Sequence, residues 1–245
     1  MRNKLLIFAI FTVIATLVLN SIATALIYDF VGADAKKWFE EFVNGDDTTI
    51  GGGDAGWELT KDGLTTDNTL PSGHQRIGFS ADWTDYTVEA EFKFLIFGTY
   101  NESQLYVRWQ DEPNNYFFRT IARNNAGTVG PWSIEWLRKV VGTDNEGDIT
   151  DNVNVIANLE KDTIYGLRGT IENQLLTVEF FNGKEWLEAG EVTYPGTYET
   201  GGIGVGRSSC QVAWQYIRVN GSGIPADSLS VESLGKLATT WAAIK

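Results

Sequence analysis

Catalysis needs a base, a nucleophile, a metal set or a pair of acids, and this sequence supplies few of each. His74 is the only histidine and Cys210 the only cysteine in 245 residues. A nucleophilic triad needs a base beside an activated serine, and no GxSxG elbow accompanies His74, which reads as a structural or solvent-exposed residue at a strand entrance. One Cys and one His cannot build a zinc shell. Cys210 reads as a small apolar residue inside a strand. Paired carboxylates remain: Glu89 and Glu91 alternate along one strand-like run and would project to the same side about 6.6 Å apart. They fall on what reads as the solvated face of that strand, so no catalytic residue is assigned.

Binding chemistry is better represented. Leu105 to Arg123 runs LYVRWQ, DEPNN, YFFRTIAR, two alternating runs around a turn with Pro113, Asn114 and Asn115 at its tip. Pairing Asp111 with Tyr116 puts Leu105, Val107 and Trp109 on a core face with Tyr116, Phe118, Thr120 and Ala122. Tyr106, Arg108 and Gln110 then share the other face with Phe117, Arg119, Ile121 and Arg123. Aromatic platforms beside planar hydrogen-bonding groups suit sugars, and Tyr106, Arg108, Arg119, Trp132 and Trp136 form the candidate ligand-binding set. The competing expectation keeps Trp132 and Trp136 in the core and pairs the arginines with Glu89, Glu91 or Glu135 across strands. Asp144, Glu146, Asp148 and Asp151 crowd one acidic loop and are the candidate calcium ligands, although the glycine of the familiar twelve-residue loop is missing. A simple solvated loop is the other reading of that segment. No other cofactor is expected.

The elements that position these residues read as strands. Candidates run from Leu26 to Val31, Trp57 to Thr60, Gly63 to Thr66, Gln75 to Ser80 and Tyr86 to Phe97, then through the hairpin. They continue from Trp132 to Val140, Ile164 to Ile171, Leu175 to Phe181, Trp186 to Ala189, Gly202 to Val205 and Val212 to Val219, with polar turns between many of them. Helical spacing of Trp38, Phe39 and Phe42 predicts one short helix over Ala35 to Val43. Gly51 to Gly56 matches GxGxxG by letter only, since no helix pattern follows it. The expected fold is all-β, a two-sheet antiparallel sandwich.

Three organisational features frame that domain. Residues 1–25 read as a secretory leader: Arg2 and Lys4, an apolar run from Leu5 to Leu19, then Ala23-Thr24-Ala25 before a cut after Ala25. The run is 15 residues, short of the roughly 20 that span a bilayer. Residues 26–220 form the domain, and 221–245 a linker with a short amphipathic tail marked by Leu234, Leu237, Ala238 and Trp241. The tail is read as detachable, because nearly every strand is accounted for before Asn220; docking on a receptor or back on the domain are its two uses. Net charge is −13, from 19 basic and 32 acidic residues, and becomes −15 once Arg2 and Lys4 leave with the leader. Such a chain repels nucleic acid and anionic membranes. A lone cysteine permits no internal disulfide, so the fold rests on its core, for which nine Trp, nine Tyr and thirteen Phe are ample.

Trp57-Glu58-Leu59 with Lys61-Asp62-Gly63-Leu64, Trp83-Thr84-Asp85-Tyr86-Thr87-Val88, and Tyr106-Val107-Arg108-Trp109-Gln110-Asp111 with Asn114-Asn115-Tyr116-Phe117 form one ordered set. Together with Gly201-Gly202-Ile203-Gly204-Val205 and Trp214-Gln215-Tyr216-Ile217-Arg218-Val219, that set resembles the laminin G-like and concanavalin A-like jelly-roll domains of bacterial exported proteins. The resemblance implies a two-sheet jelly roll whose concave face or rim binds glycans or other extracellular ligands, sometimes with calcium. It implies a non-catalytic secreted or periplasmic binding module for polysaccharide or surface glycan. The alternatives are a glycoside hydrolase on the same fold and a protein-binding domain at the cell surface. Hydrolases of this kind carry Glu-x-Asp-x-x-Glu, and Glu89-Ala90-Glu91 lacks the third acid.

Overall fold

The computed structural model describes residues 25–45, 48–51, 56–66, 74–125, 128–140, 143–147, 159–194 and 196–225; of 123–125, 128–140 and 143–147 it describes the backbone alone. Fifteen strands and one helix are found among these residues. An eight-stranded antiparallel sheet contains β1 (Ala25–Asp29), β3 (Trp57–Thr60), β4 (Gly63–Thr66), β6 (Tyr86–Ile96), β11 (Ile164–Glu172), β12 (Leu175–Phe181), β13 (Trp186–Thr193) and β15 (Gln211–Gly221). Its order is β13-β12-β11-β6-β15-β4-β3, with β1 also paired to β15. A seven-stranded sheet contains β2 (Thr48–Gly51), β5 (His74–Phe79), β7 (Tyr100–Asp111), β8 (Asn114–Asn125), β9 (Thr128–Val140), β10 (Thr143–Gly147) and β14 (Gly202–Ser208), in the order β10-β9-β8-β7-β14-β5-β2. One hydrophobic core joins the facing sides of the two sheets, as expected of an all-β sandwich.

The period-two pattern of β6 explains its place in the middle. Val88, Ala90, Phe92 and Phe94 are fully buried, while Thr87, Glu91 and Lys93 face outward. β15 keeps the same phase only because a bulge lies between Trp214 and Tyr216. Trp214 is buried before it, and Ile217 and Val219 after it, so the extra residue resets the alternation. The helix α1 (Ala35–Asn44) buries Trp38 and Phe42, and Phe42 meets Tyr28 and Phe79 edge-on. Its span agrees with the helical spacing.

The central hairpin departs from the expected register. Val107 pairs with Tyr116 and Asp111 with Asn114, so the turn is Glu112-Pro113 rather than a four-residue loop. Leu105, Val107, Tyr116, Phe118 and Ala122 are core residues, as the alternation predicts. A bulge between Val107 and Asp111 breaks that alternation, with Arg108 in the left-handed region at φ 52°. Trp109 therefore leaves the core face and joins Tyr106 and Phe117 on the opposite side of the sheet. There it lies flat across β14 and β5, its indole N–H donating to Thr49 Oγ1 on β2 at 3.0 Å. A Cβ on Gly78 would stand 2.6 Å from that ring, so the glycine makes the crossing feasible.

Part of the acidic segment read as a loop is a strand, β10, which carries Asp144 and Glu146, and β2 is a strand that the sequence pattern does not mark. β10 pairs with β9 from Thr143 opposite Val140 to Gly147 opposite Trp136, and backbone pairing outweighs the weak strand preference of acidic residues. Ile224, expected in a linker, is buried in the main core. Residues 1–24 and 226–245, and with them most of the leader and the amphipathic tail, lie outside the described residues.

Candidate functional site

At one end of the sandwich, four segments meet: the run-up to β6, the β7 bulge, the turn between β11 and β12, and residues 196–201 ahead of β14. They enclose a cleft of about 410 Å³ lined by Asp85, Arg108, Asn173, Gln174, Tyr198 and Glu199, among others. A second space of about 400 Å³ shares Tyr198 and Glu199 and adds Gln110 and Thr200. This rim is the candidate site.

Arg108 is its foundation. The side chain is 1% exposed, and it donates from Nε to Tyr194 Oη (3.0 Å), from Nη1 to the Trp83 carbonyl (2.7 Å) and from Nη2 to the Asn173 carbonyl (3.2 Å). Its backbone N–H donates to Tyr86 Oη at 2.8 Å, and that hydroxyl donates to the Gly202 carbonyl at 2.9 Å. A buried guanidinium is tolerated when its N–H groups find acceptors, and here the acceptors come from three separate segments. Arg108 thus ties the cleft floor together. Burial pushes the Tyr86 and Tyr194 hydroxyls above the ordinary phenol range, so both stay protonated donors.

The walls are polar and one is aromatic. Tyr194 Oη donates to the Asn173 carbonyl at 2.9 Å, and the Asn173 N–H donates to Asp85 Oδ1 at 2.8 Å. Asn173 holds a left-handed turn position at φ 56°, a conformation asparagine tolerates. Tyr116 contacts both Tyr194 and Tyr198, with ring centroids 4.6 and 5.2 Å away. The Tyr198 hydroxyl donates to Asn114 Oδ1 at 3.0 Å, which fixes the half-buried ring as a wall. Asp85, Gln174 and Glu199 are exposed beside it. One ring face with amide and carboxylate groups around it can hold a polyhydroxylated ligand, the ring taking C–H faces and the polar groups taking hydroxyls.

The predicted site residues are dispersed. Arg108 reaches the cleft from inside, not from the Tyr106 face on which the simple alternation put it. Tyr106 and Arg119 do share that face, but both are covered. Tyr106 stacks on Phe117 at 4.8 Å and donates to Gln104 Oε1 at 2.7 Å, while Arg119 Nη1 lies 3.1 Å from Glu102 Oε2. An ion pair between Arg76 Nε and Glu112 Oε1, 2.9 Å long, links β5 to the hairpin tip on the same side. Trp132 and Trp136 stand opposite Ala122 and Phe118 in the register, and their side chains lie outside the description. Tyr198, Glu199 and Gln174 were not anticipated. Their signal lies in Tyr194-Pro195-Gly196-Thr197-Tyr198-Glu199-Thr200, a Pro- and Gly-bounded loop with two tyrosines ahead of a glycine-rich strand.

Glu89 accepts Arg168 Nε and Nη2 on Oε2, at 2.8 and 2.7 Å, and Tyr216 Oη on Oε1 at 2.6 Å. Both of its oxygens are engaged within the sheet, which leaves it poorly placed as a nucleophile. Asp148 and Asp151 lie outside the described residues, as do the side chains of Asp144 and Glu146. Among the described residues, no three His, Cys, Asp or Glu side chains cluster tightly enough for a metal. In the cleft, Asp85 and Glu199 are two carboxylates beside the Asn173 and Gln174 amides.

Neither a family model nor a curated protein matches the sequence. Among solved structures, the chain is similar to the carbohydrate binding module CBM66 from Bacillus subtilis, at 15% identity over 72% of this chain and 98% of that one, with a TM-score of 0.55. The likeness is one of fold. The exoplasmic/lumenal domain of VIP36, in its form bound to Ca2+ and Man3GlcNAc, reaches a TM-score of 0.49 at 13% identity, covering 74% of this chain and 89% of that domain.

Proposed function

We propose that the chain is a non-catalytic binding module for an extracellular polysaccharide or surface glycan, and that the rim cleft is its ligand site. The observation that carries this reading is the cleft itself, an aromatic wall and exposed polar groups set on a floor braced by Arg108. Such a floor holds its shape before a ligand arrives, and a preformed site spends less binding energy on ordering. The fold shared with a carbohydrate binding module agrees with it. Kinship to laminin G-like domains, and export after removal of a leader ending at Ala25, belong to the same proposal. Surplus negative charge points away from polyanionic ligands.

Affinity gel electrophoresis of the chain against neutral and acidic polysaccharides tests the reading. Retardation by one of them, lost in Tyr198→Ala but kept in a variant of the far end of the sandwich, supports it. No retardation by any polysaccharide, or retardation indifferent to Tyr198, would falsify it. Release of reducing sugar would assign the chain to the hydrolases instead.

A further inference from the structure

The outer face of the eight-stranded sheet carries a cluster of titratable side chains far from the rim. Glu89 and Glu91 on β6 both reach the hydroxyl of Tyr216 on β15, through Glu89 Oε1 at 2.6 Å and Glu91 Oε1 at 3.1 Å. A phenol has one hydrogen, and an ionised carboxylate only accepts. The shorter contact has the length of a hydroxyl donating to a carboxylate, which places the phenol hydrogen on the Glu89 side. The remaining contact, between two oxygens at 3.1 Å, either shares that hydrogen as a weak three-centre bond or is filled by a second one on Glu91.

The charge inventory around the cluster favours the second arrangement. Arg168 on β11 binds Glu89, and through Nη1 it binds Glu179 on β12 at 2.9 Å. Arg218 on β15 lies 3.7 Å from Glu89 Oε1. On the neighbouring strands, Asp29 of β1 stands opposite Tyr216, with Oδ1 accepting from the Val31 and Gly32 N–H groups, and Glu188 of β13 stands opposite Glu179. Two guanidinium groups thus already face more than two carboxylates without counting Glu91. Lys93, the one cation on β6, is held 2.7 Å from Asp62 in the turn between β3 and β4. Glu91 has no cation of its own and is half-buried beside Glu89.

We infer that Glu91 is held as the neutral acid and donates its proton to the Tyr216 oxygen while Tyr216 donates to ionised Glu89. The result is a one-proton clasp between β6 and β15, buttressed by Arg168. Burial raises the Glu91 carboxyl above its ordinary range, and neighbouring Glu89 adds to the effect, with Tyr216 and Arg218 pulling the other way. Loss of the proton puts a second carboxylate against the first and loosens the clasp. A carboxyl raised in the folded state is neutral in both states at low pH; as pH climbs past 4.5 the unfolded chain releases its proton first, so stability falls with rising pH.

Carboxyl carbon NMR of the chain labelled at glutamate Cδ tests this, with Glu91→Gln identifying the resonance. The expected result is one glutamate that titrates above all others and disappears in that variant. Thermal midpoints of the native chain and Glu91→Gln should agree well below pH 4.5 and diverge above it, with the native chain the less stable. Tyr216→Phe removes the acceptor, so the Glu91 titration should move down; a move up would mean Tyr216 had been serving an ionised Glu91, and overturns the inference. If Glu91→Gln does not fold, the native titration decides: one outlying glutamate supports the clasp, and none refutes it.

Discussion

Gly201 and Arg108 meet backbone to backbone at the floor of the rim cleft. A Cβ on Gly201 would stand 2.3 Å from the Arg108 carbonyl carbon, and the Gly201 N–H donates to the Trp83 carbonyl that also accepts from Arg108. Gly201→Ala should therefore push the β7 bulge away from β14, at a cost of about 1–3 kcal/mol by overpacking. Urea unfolding measures the loss, and the same variant should bind glycan weakly.

Arg108→Leu leaves the Tyr194 oxygen without its donor and takes one of two donors from each of the Trp83 and Asn173 carbonyls, which keep the Gly201 N–H and the Tyr194 hydroxyl. The expected penalty is about 1–3 kcal/mol, read from denaturant midpoints. Arg108→Lys should recover only part of it, because one ammonium cannot serve acceptors spread along a planar fork. Equal stability of Arg108→Leu and the native chain would refute the bracing role.

At the cleft wall, Tyr198→Ala should weaken polysaccharide retention about tenfold, about 1.4 kcal/mol. Chelator should change nothing in the same assay if the Tyr198 ring and the polar groups beside it hold the ligand without an ion. A loss of binding in EDTA that calcium restores would show that an ion does take part.

Cys210 is buried, donates weakly to the Glu102 carbonyl, and has its thiol pushed up to about 12, mainly by burial. The thiol should stay unreactive to alkylating agents in the native chain and react fully in urea. Below pH 9 both states hold the proton. Above it the unfolded thiol ionises first, so the native chain should lose stability relative to Cys210→Ala as pH rises from 9 towards 12.

Ile224 extends the core past Asn220. It is 5% exposed and packs in the main core, so Ile224→Ala should cost about 2–4 kcal/mol. Truncation after Pro225 should leave the thermal midpoint within a few degrees of the full chain. A comparable loss on truncation would mean that residues 226–245 belong to the core.

Much of the fold was legible because burial writes a period of two along a strand. Val88, Ala90, Phe92 and Phe94 declare β6 without any partner in view, and Trp38 with Phe42 declares the helix. The candidate site was not, because its floor depends on breaking that period. Arg108 turns inward and Trp109 outward owing to a bulge whose neighbour, Gly201, is remote in sequence. Local pattern holds no record of such a contact. Strand β10 was missed for a related reason: Asp144 and Glu146 have poor strand preference, and only their pairing with β9 makes them extended.

The order of strands in the eight-stranded sheet also governs when this chain can fold. β15, the last strand in chain order among the described residues, lies inside that sheet, with β6 on one side and β4 and β1 on the other. Until it arrives, β6 has one edge unpaired and β1 has nothing to pair with. Assembly dominated by such distant partners is slow, on the order of milliseconds to seconds for sheets of this kind. Hairpins such as β7–β8 and β11–β12 can pair before it, but the middle of the eight-stranded sheet closes only once residues 211–221 are available.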